Sequence, residues 1–220
     1  MFKIALFDLD GTLFDTLPDI HGALEFALTN NGLKQPLLIE HTRSFIGDGL
    51  KAFLQKAISA TTQLKECPEH IINDYLTYYS NHCSDKTQPY EGIEELLCKL
   101  QINNIKMAVV SNKSEVFVKK ILKHYNFERF FTASFGGDSF SDKKPSSIPI
   151  LSTLEAISAS DVAFNNIIMI GDSENDIASG NAAGIKTCWC TYGYGLNLLS
   201  KPDYIVSNSK DIYNYLFNFR

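Results

Sequence analysis

A chain of 220 residues, 45% hydrophobic and 20% charged, can bury a sizeable core and has the balance of an ordinary globular protein. Its net charge of −5 offers no broad basic field, which argues against nucleic-acid and membrane partners but leaves small phosphorylated ligands open to a local cluster. No apolar run approaches membrane-spanning length, and the first one lacks the pattern of a secretory leader.

Residues 2–7 read as a buried strand that runs straight into Asp8 and Asp10, two acids one residue apart. Three helical segments follow. Ile20, Leu24, Ala27 and Leu28 repeat at helical spacing and stop at Asn31-Gly32. Leu50, Phe53, Leu54, Ala57 and Ile58 share one face, as do Ile71, Ile72, Tyr75, Leu76 and Tyr79. No strand signal interrupts residues 17–83, so this stretch reads as a helical insert, with Phe53 and Tyr75 in its core.

From Pro89 the rhythm changes to alternating helix and strand. Helices are predicted over 92–104, 114–126, 147–157 and 174–184, and strands over 105–111, 130–137, 166–172 and 186–192. Nearly continuous apolar strands between helices indicate a parallel sheet covered on both faces. The predicted architecture is an α/β, Rossmann-like parallel sheet core over 1–15 and 85–220. A helical cap over 16–84 is inserted after the first strand.

In an open parallel sheet, ligands bind beyond the carboxyl ends of the strands. There the sequence places Asp8-Leu9-Asp10-Gly11-Thr12, then Ser111-Asn112-Lys113, then Gly171-Asp172-Ser173 with Asp176 one helical turn later. Lys143 and Lys144 stand at a helix start between the last two. Clustered carboxylates repel one another and demand a cation, and hard oxygen donors suit Mg²⁺. Ser111 and Asn112 can donate to phosphate oxygens, and a lysine neutralises the remaining charge. An ionised Asp8 in such a setting can act as a nucleophile, splitting a hard displacement into two easier steps.

The segments DLDGT, VVSN, KKP and GDSENDIASGNAAG match, in order, the four motifs of the haloacid dehalogenase superfamily, and the resemblance spans almost the whole chain. It implies Asp8 as nucleophile, Asp10 as general acid/base, Ser111 as the second-motif hydroxyl and Lys144, which precedes Pro145, as the third-motif lysine. It implies a Mg²⁺ site formed by Asp8, the Asp10 backbone carbonyl and Asp172, supported by Asp176. Gly11, Thr12 and Asn112, with Arg43 and Gly47 of the cap, are the candidate substrate-binding residues. FIGDGL and TYGYG resemble segments of the phosphoglycolate phosphatases, which implies a small phosphorylated metabolite, 2-phosphoglycolate first. Ser147 and Ile148 depart from that group, which commonly carries a second Pro and an acid there.

The alternative within the architecture is a sugar phosphomutase, or a phosphatase for another sugar phosphate or nucleotide. Phosphonate hydrolysis would need a Schiff-base lysine in the cap, and nothing marks Lys51 or Lys56 for that role. A phospho-receiver domain also uses an aspartate, a hydroxyl and a lysine, but it carries no helical insert after an Asp-x-Asp strand. Five cysteines, odd in number and without a C-x-x-C pair, read as reduced thiols of a cytoplasmic protein. The histidines lack zinc spacing. Lys143 and His21 are expected to face solvent, and Tyr192 and Tyr194 either to pack or to contact substrate. A monomer or homodimer is expected.

Overall fold

The computed structural model describes residues 2–33, 37–62, 64 and 66–217, with backbone alone at 215 and 216. Strand β1 (Ile4–Phe7) carries four buried residues in a row, as a strand covered on both faces must. A two-residue strand β2 (Phe14–Asp15) follows the first turn. Four helices come next: α1 (Leu17–Asn30), α2 (Ile39–Phe45), α3 (Leu50–Thr61) and α4 (Glu69–His82). The chain returns through β3 (Gln88–Pro89), which pairs antiparallel with β2.

Alternation then sets in: α5 (Ile93–Ile102), β4 (Lys106–Val110), α6 (Glu115–His124), β5 (Ala133–Phe135), α7 (Ile148–Ala156) and β6 (Ile167–Gly171). It continues with α8 (Glu174–Ala183), β7 (Lys186–Cys190), β8 (Tyr204–Val206) and a short α9 (Ser209–Ile212). The six main strands form one parallel sheet in the order β5-β4-β1-β6-β7-β8. Strand β1 lies inside it, with Ile4 opposite Lys106 on one side and Ile167 on the other.

Successive side chains of a strand leave on opposite faces. Ile4, Leu6, Ala108, Val110, Ile167 and Met169 pack on one face with Ile150 and Leu154 of α7. Ala5, Phe7, Met107, Val109, Ile168 and Ile170 pack on the other with Leu97 of α5 and Ile121 of α6. The second core continues without a break into the helical insert, through Leu24, Leu54, Ile58, Ile71 and Tyr79. Fully burying one such Leu or Ile stabilises the fold by about 1.5–3 kcal/mol.

Among the described residues the insert has four helices where the sequence suggested three. Helix α2 has only seven residues and one buried side chain, Thr42, so no apolar stripe announces it. The two passages between insert and core are braced by Asp19, whose buried carboxylate accepts from the Lys86 and Thr87 amides and the Thr87 hydroxyl at 2.7–3.0 Å. No described helix is long and apolar enough to cross a membrane.

Candidate active site

The carboxyl ends of β1, β4 and β6 open on one cavity of about 250 Å³, roofed by the insert. Asp8 leaves β1 with its amide still bonded to the Ile170 carbonyl at 3.0 Å, so the sheet ladder holds it rigidly. Leu9 turns into the core, fully buried. The chain then folds back at Gly11, whose φ is +80° and whose amide donates to the Phe14 carbonyl at 2.9 Å. This turn brings Asp10 back to the cavity beside Asp8.

Asp8, Asp172 and Asp176 each place a carboxylate oxygen within 4.8 Å of the others. Lys144, also buried, sits among them. Its Nζ donates to Asp176 Oδ1 at 2.5 Å and to the Val110 carbonyl at 2.6 Å, and lies 3.0 Å from Asp8 Oδ1. Burial opposes the charge of Lys144, but Asp176 and Asp8 outweigh it and raise its pKa. Burial also raises Asp8 to about 6, against the pull of Lys144 and with the push of Asp176 and Asp10. Burial, then repulsion by Asp176 and Asp8, pushes Asp172 up to about 8, although two amides oppose the shift.

Those amides belong to Tyr194 and Gly195, which donate to Asp172 Oδ2 at 2.7 and 3.2 Å. The Thr12 hydroxyl donates to Asp172 Oδ1 at 3.1 Å. Asp176 is a capping-box acid at the start of α8: its Oδ2 accepts from the amide and hydroxyl of Ser173. Asp176 thereby orients Lys144 and still sets a carboxylate oxygen beside those of Asp8 and Asp172. Asp8 Oδ1 is different. It is buried and accepts no hydrogen bond in proper geometry, the nearby Lys144 notwithstanding. A buried carboxylate oxygen in this state, beside the carboxylates of Asp172 and Asp176, belongs to the kind of oxygen donor set a small hard cation takes. The residues present therefore fit Mg²⁺, with Asp8 and Asp172 as the side chains that would hold it.

Asp10 stands outside that cluster. Its Oδ1 accepts from the Thr16 hydroxyl at 2.6 Å, and Lys113 Nζ spans both oxygens. Ser111 and Asn112 line the cavity. Asn112 is a junction: its Oδ1 accepts from the Lys144 amide at 2.9 Å, and its Nδ2 donates to the carbonyls of Lys144 and Gly47 at 2.8 and 2.9 Å. Gly47 and Arg43 bring the insert to the cavity wall, Gly47 with a φ of +126° that few other residues adopt.

Several expectations change. Gly11 and Thr12 do not line the cavity; Thr12 is fully buried and its hydroxyl is committed to Asp172, so it supports the carboxylate instead of meeting a ligand. Lys143 is not a solvated lysine: it reaches across to the Asp48 carbonyl of the insert. His21 is half-buried and bonded to the Thr42 hydroxyl at 2.8 Å. Tyr194 is buried at the cavity wall and carries a dense set of hydrogen bonds. Lys113 received no role from the sequence; its position directly after Ser111-Asn112 was the one signal available.

The sequence model of the haloacid dehalogenase-like hydrolases matches residues 5–190. The chain belongs to this family. Among its relatives is the phosphoglycolate phosphatase of Neisseria meningitidis, 36% identical over 219 residues, covering 96% of this chain and 92% of the relative. The phosphoglycolate phosphatase of Aquifex aeolicus is 34% identical, covering 98% and 97%. A crystal structure from Haemophilus somnus, described as a predicted phosphoglycolate phosphatase, superposes with a TM-score of 0.90 at 30% identity, covering 97% of each chain. Within the family the chain stands among the phosphatases, enzymes that hydrolyse phosphoric monoesters.

Proposed function

We propose that the chain is a Mg²⁺-dependent phosphatase that hydrolyses 2-phosphoglycolate through an aspartyl-phosphate on Asp8. The observation that carries the reading is Asp8: a buried strand-end carboxylate with Oδ1 3.0 Å from a buried lysine, clustered with the carboxylates of Asp172 and Asp176. The names of the relatives support the substrate.

In the first half-reaction a carboxylate oxygen of Asp8 attacks phosphorus and the bond to the alcohol oxygen breaks. Asp10, in its acid form, gives its proton to that oxygen. Lys144 and the Ser111 hydroxyl neutralise charge on the phosphoryl oxygens. In the second half-reaction Asp10 takes a proton from water, whose oxygen attacks phosphorus and returns Asp8 as a carboxylate. Mg²⁺, when bound by Asp8 and Asp172, supplies Lewis-acid stabilisation of the phosphoryl oxygens. Asn112, Asp176, Gly11 and Thr12 position these groups.

Residues 16–84 act as a cap over the core, and closure excludes water from the reaction. Five free cysteines suit the reducing cytoplasm as the place of work. The test is kcat/KM for a panel of phosphate monoesters with Mg²⁺. Preference for 2-phosphoglycolate is expected. Preference for a sugar phosphate, or transfer of the phosphoryl group to a second sugar hydroxyl, would remove this substrate and leave the phosphatase chemistry standing or replaced accordingly.

A further inference from the structure

The loop after β7 touches three parts of the molecule at once. Its Tyr194 and Gly195 amides hold Asp172 Oδ2. Its Gly193 and Tyr194 carbonyls accept from the guanidinium of Arg43 on α2, through Nη2 and, at 3.4 Å, Nε. The guanidinium also sits 6.0 Å from the centre of the Tyr194 ring. The Tyr194 hydroxyl accepts from the Thr16 and Leu17 amides at 2.7 and 2.9 Å and donates to Asp15 Oδ1 at 2.8 Å.

Each contact has a physical reason. The first amides of a helix have no partner inside it. Helix α1 receives no bond from the side chain of its N-cap residue, Thr16. A tyrosine of the core supplies the acceptor instead, so the start of the insert is fixed on the core. Arg43 can bridge two carbonyls because its donors form a planar fork, which a lysine lacks. The loop lies directly against the site: a Cβ on Gly193 would overlap the Asp172 side chain and the Gly11 carbonyl, and one on Gly195 would overlap the Asp172 carbonyl. A shift of the loop therefore shifts its grip on Asp172.

We infer that Arg43 and Tyr194 are positioning residues that lock the cap onto the core through residues 193–195 and thereby fix the Asp172 carboxylate. The inference rests on the reading of Asp172 as a cation-holding residue of the reaction. It gives Arg43 a different task from a clamp on substrate. The guanidinium is committed to backbone carbonyls of the core, across the cleft from its own helix. Cap closure would set this lock; opening would release it.

The test combines amide hydrogen exchange on the substrate-free protein, with and without Mg²⁺, and steady-state kinetics of Arg43→Met, Arg43→Lys and Tyr194→Phe. Arg43→Met is expected to speed exchange at the Tyr194 and Gly195 amides, which Arg43 does not touch. Tyr194→Phe is expected to speed exchange at Thr16 and Leu17. Both should lower kcat by up to about 100-fold, for an aryl phosphate as well as for 2-phosphoglycolate, since misplacement of a reacting group costs that much. Arg43→Lys should recover only part of the loss. The double variant should lose little more than the worse single one, as members of one device do.

A rise in KM for 2-phosphoglycolate alone, with kcat and loop exchange unchanged in Arg43→Met, would make Arg43 a substrate clamp and overturn the lock. Fully additive losses in the double variant would do the same. The exchange measurements need no substrate, so a wrong substrate assignment leaves them decisive.

Discussion

Lys113 Nζ lies 3.0 Å from one carboxylate oxygen of Asp10 and 3.1 Å from the other, and 4.9 Å above the centre of the Tyr79 ring. Both side chains are nearly buried, at 7% and 12% exposure, so solvent screens the pair only weakly. Removing the lysine alone strands the acid. Lys113→Met should cost about 1.5–3 kcal/mol in urea denaturation, the range for a hydrogen bond to a charged group. Adding Asp10→Asn should recover part of it. A double variant less stable than Lys113→Met would contradict the pairing.

Asp8→Asn should separate stability from turnover. The substitution keeps the shape of a residue that burial holds at a pKa of about 6, and removes a charge the fold accommodates poorly. Turnover should fall by several orders of magnitude, while the metal-free melting temperature at pH 8 stays level or rises. Retention of more than about a tenth of the activity would dismiss Asp8 as nucleophile.

Metal-free protein should lose stability as pH rises. The unfolded carboxyls titrate near 3.8, and the folded ones at about 6 for Asp8 and about 8 for Asp172. Across that window the folded state keeps protons that the unfolded state has released. This contribution is therefore complete below pH 3.8 and is lost as pH climbs through 6 and then 8. Mg²⁺ favours the ionised forms, so its stabilising effect should be larger at pH 8 than at pH 5. Thermal melts in EDTA and in Mg²⁺ measure both. A slope in EDTA that Asp172→Asn leaves unaltered would refute the assignment to this cluster.

Gly11→Ala should be poorly tolerated for two separate reasons. The residue has a φ of +80°, and a Cβ there would overlap Asp172 Oδ2. Overpacking of this kind costs about 1–3 kcal/mol, and here the displaced atom belongs to the proposed cation site. Denaturation should show the loss, and titration of Mg²⁺ against activity should shift to higher concentration. An unchanged Mg²⁺ response would mean that Asp172 yields without consequence.

Five of the six sheet strands were legible because they are nearly continuous apolar runs, such as Ile167–Gly171, and three of them end in polar groups at the edge where ligands bind; the three-residue Tyr204–Val206 was not legible, being too short to register. Asp8, Asp10, Ser111 and Asp172 follow from that rule, Lys144 comes from the family resemblance of Lys-Lys-Pro, and the structure brings all five to one cavity. What stayed hidden lacks periodicity. Strands β2 and β3 have two residues each, too few for any alternation to register. Lys143 and Lys113 are ordinary lysines by composition, and only the folded chain shows one crossing to Asp48 and the other meeting Asp10. Tyr194 sits 178 residues from the amide it caps, a distance no local pattern can span.

The pairing of Phe14 with Pro89 and of Asp15 with Gln88 brings the chain back to the core beside the place where it left. Adjacent strands lie about 4.8 Å apart, so a tight turn could bridge them without disturbing the sheet below. The core is thus a socket with neighbouring terminals, and the insert is a plug. An insert of another shape could be seated between these terminals while the strand-end residues stay where the sheet puts them.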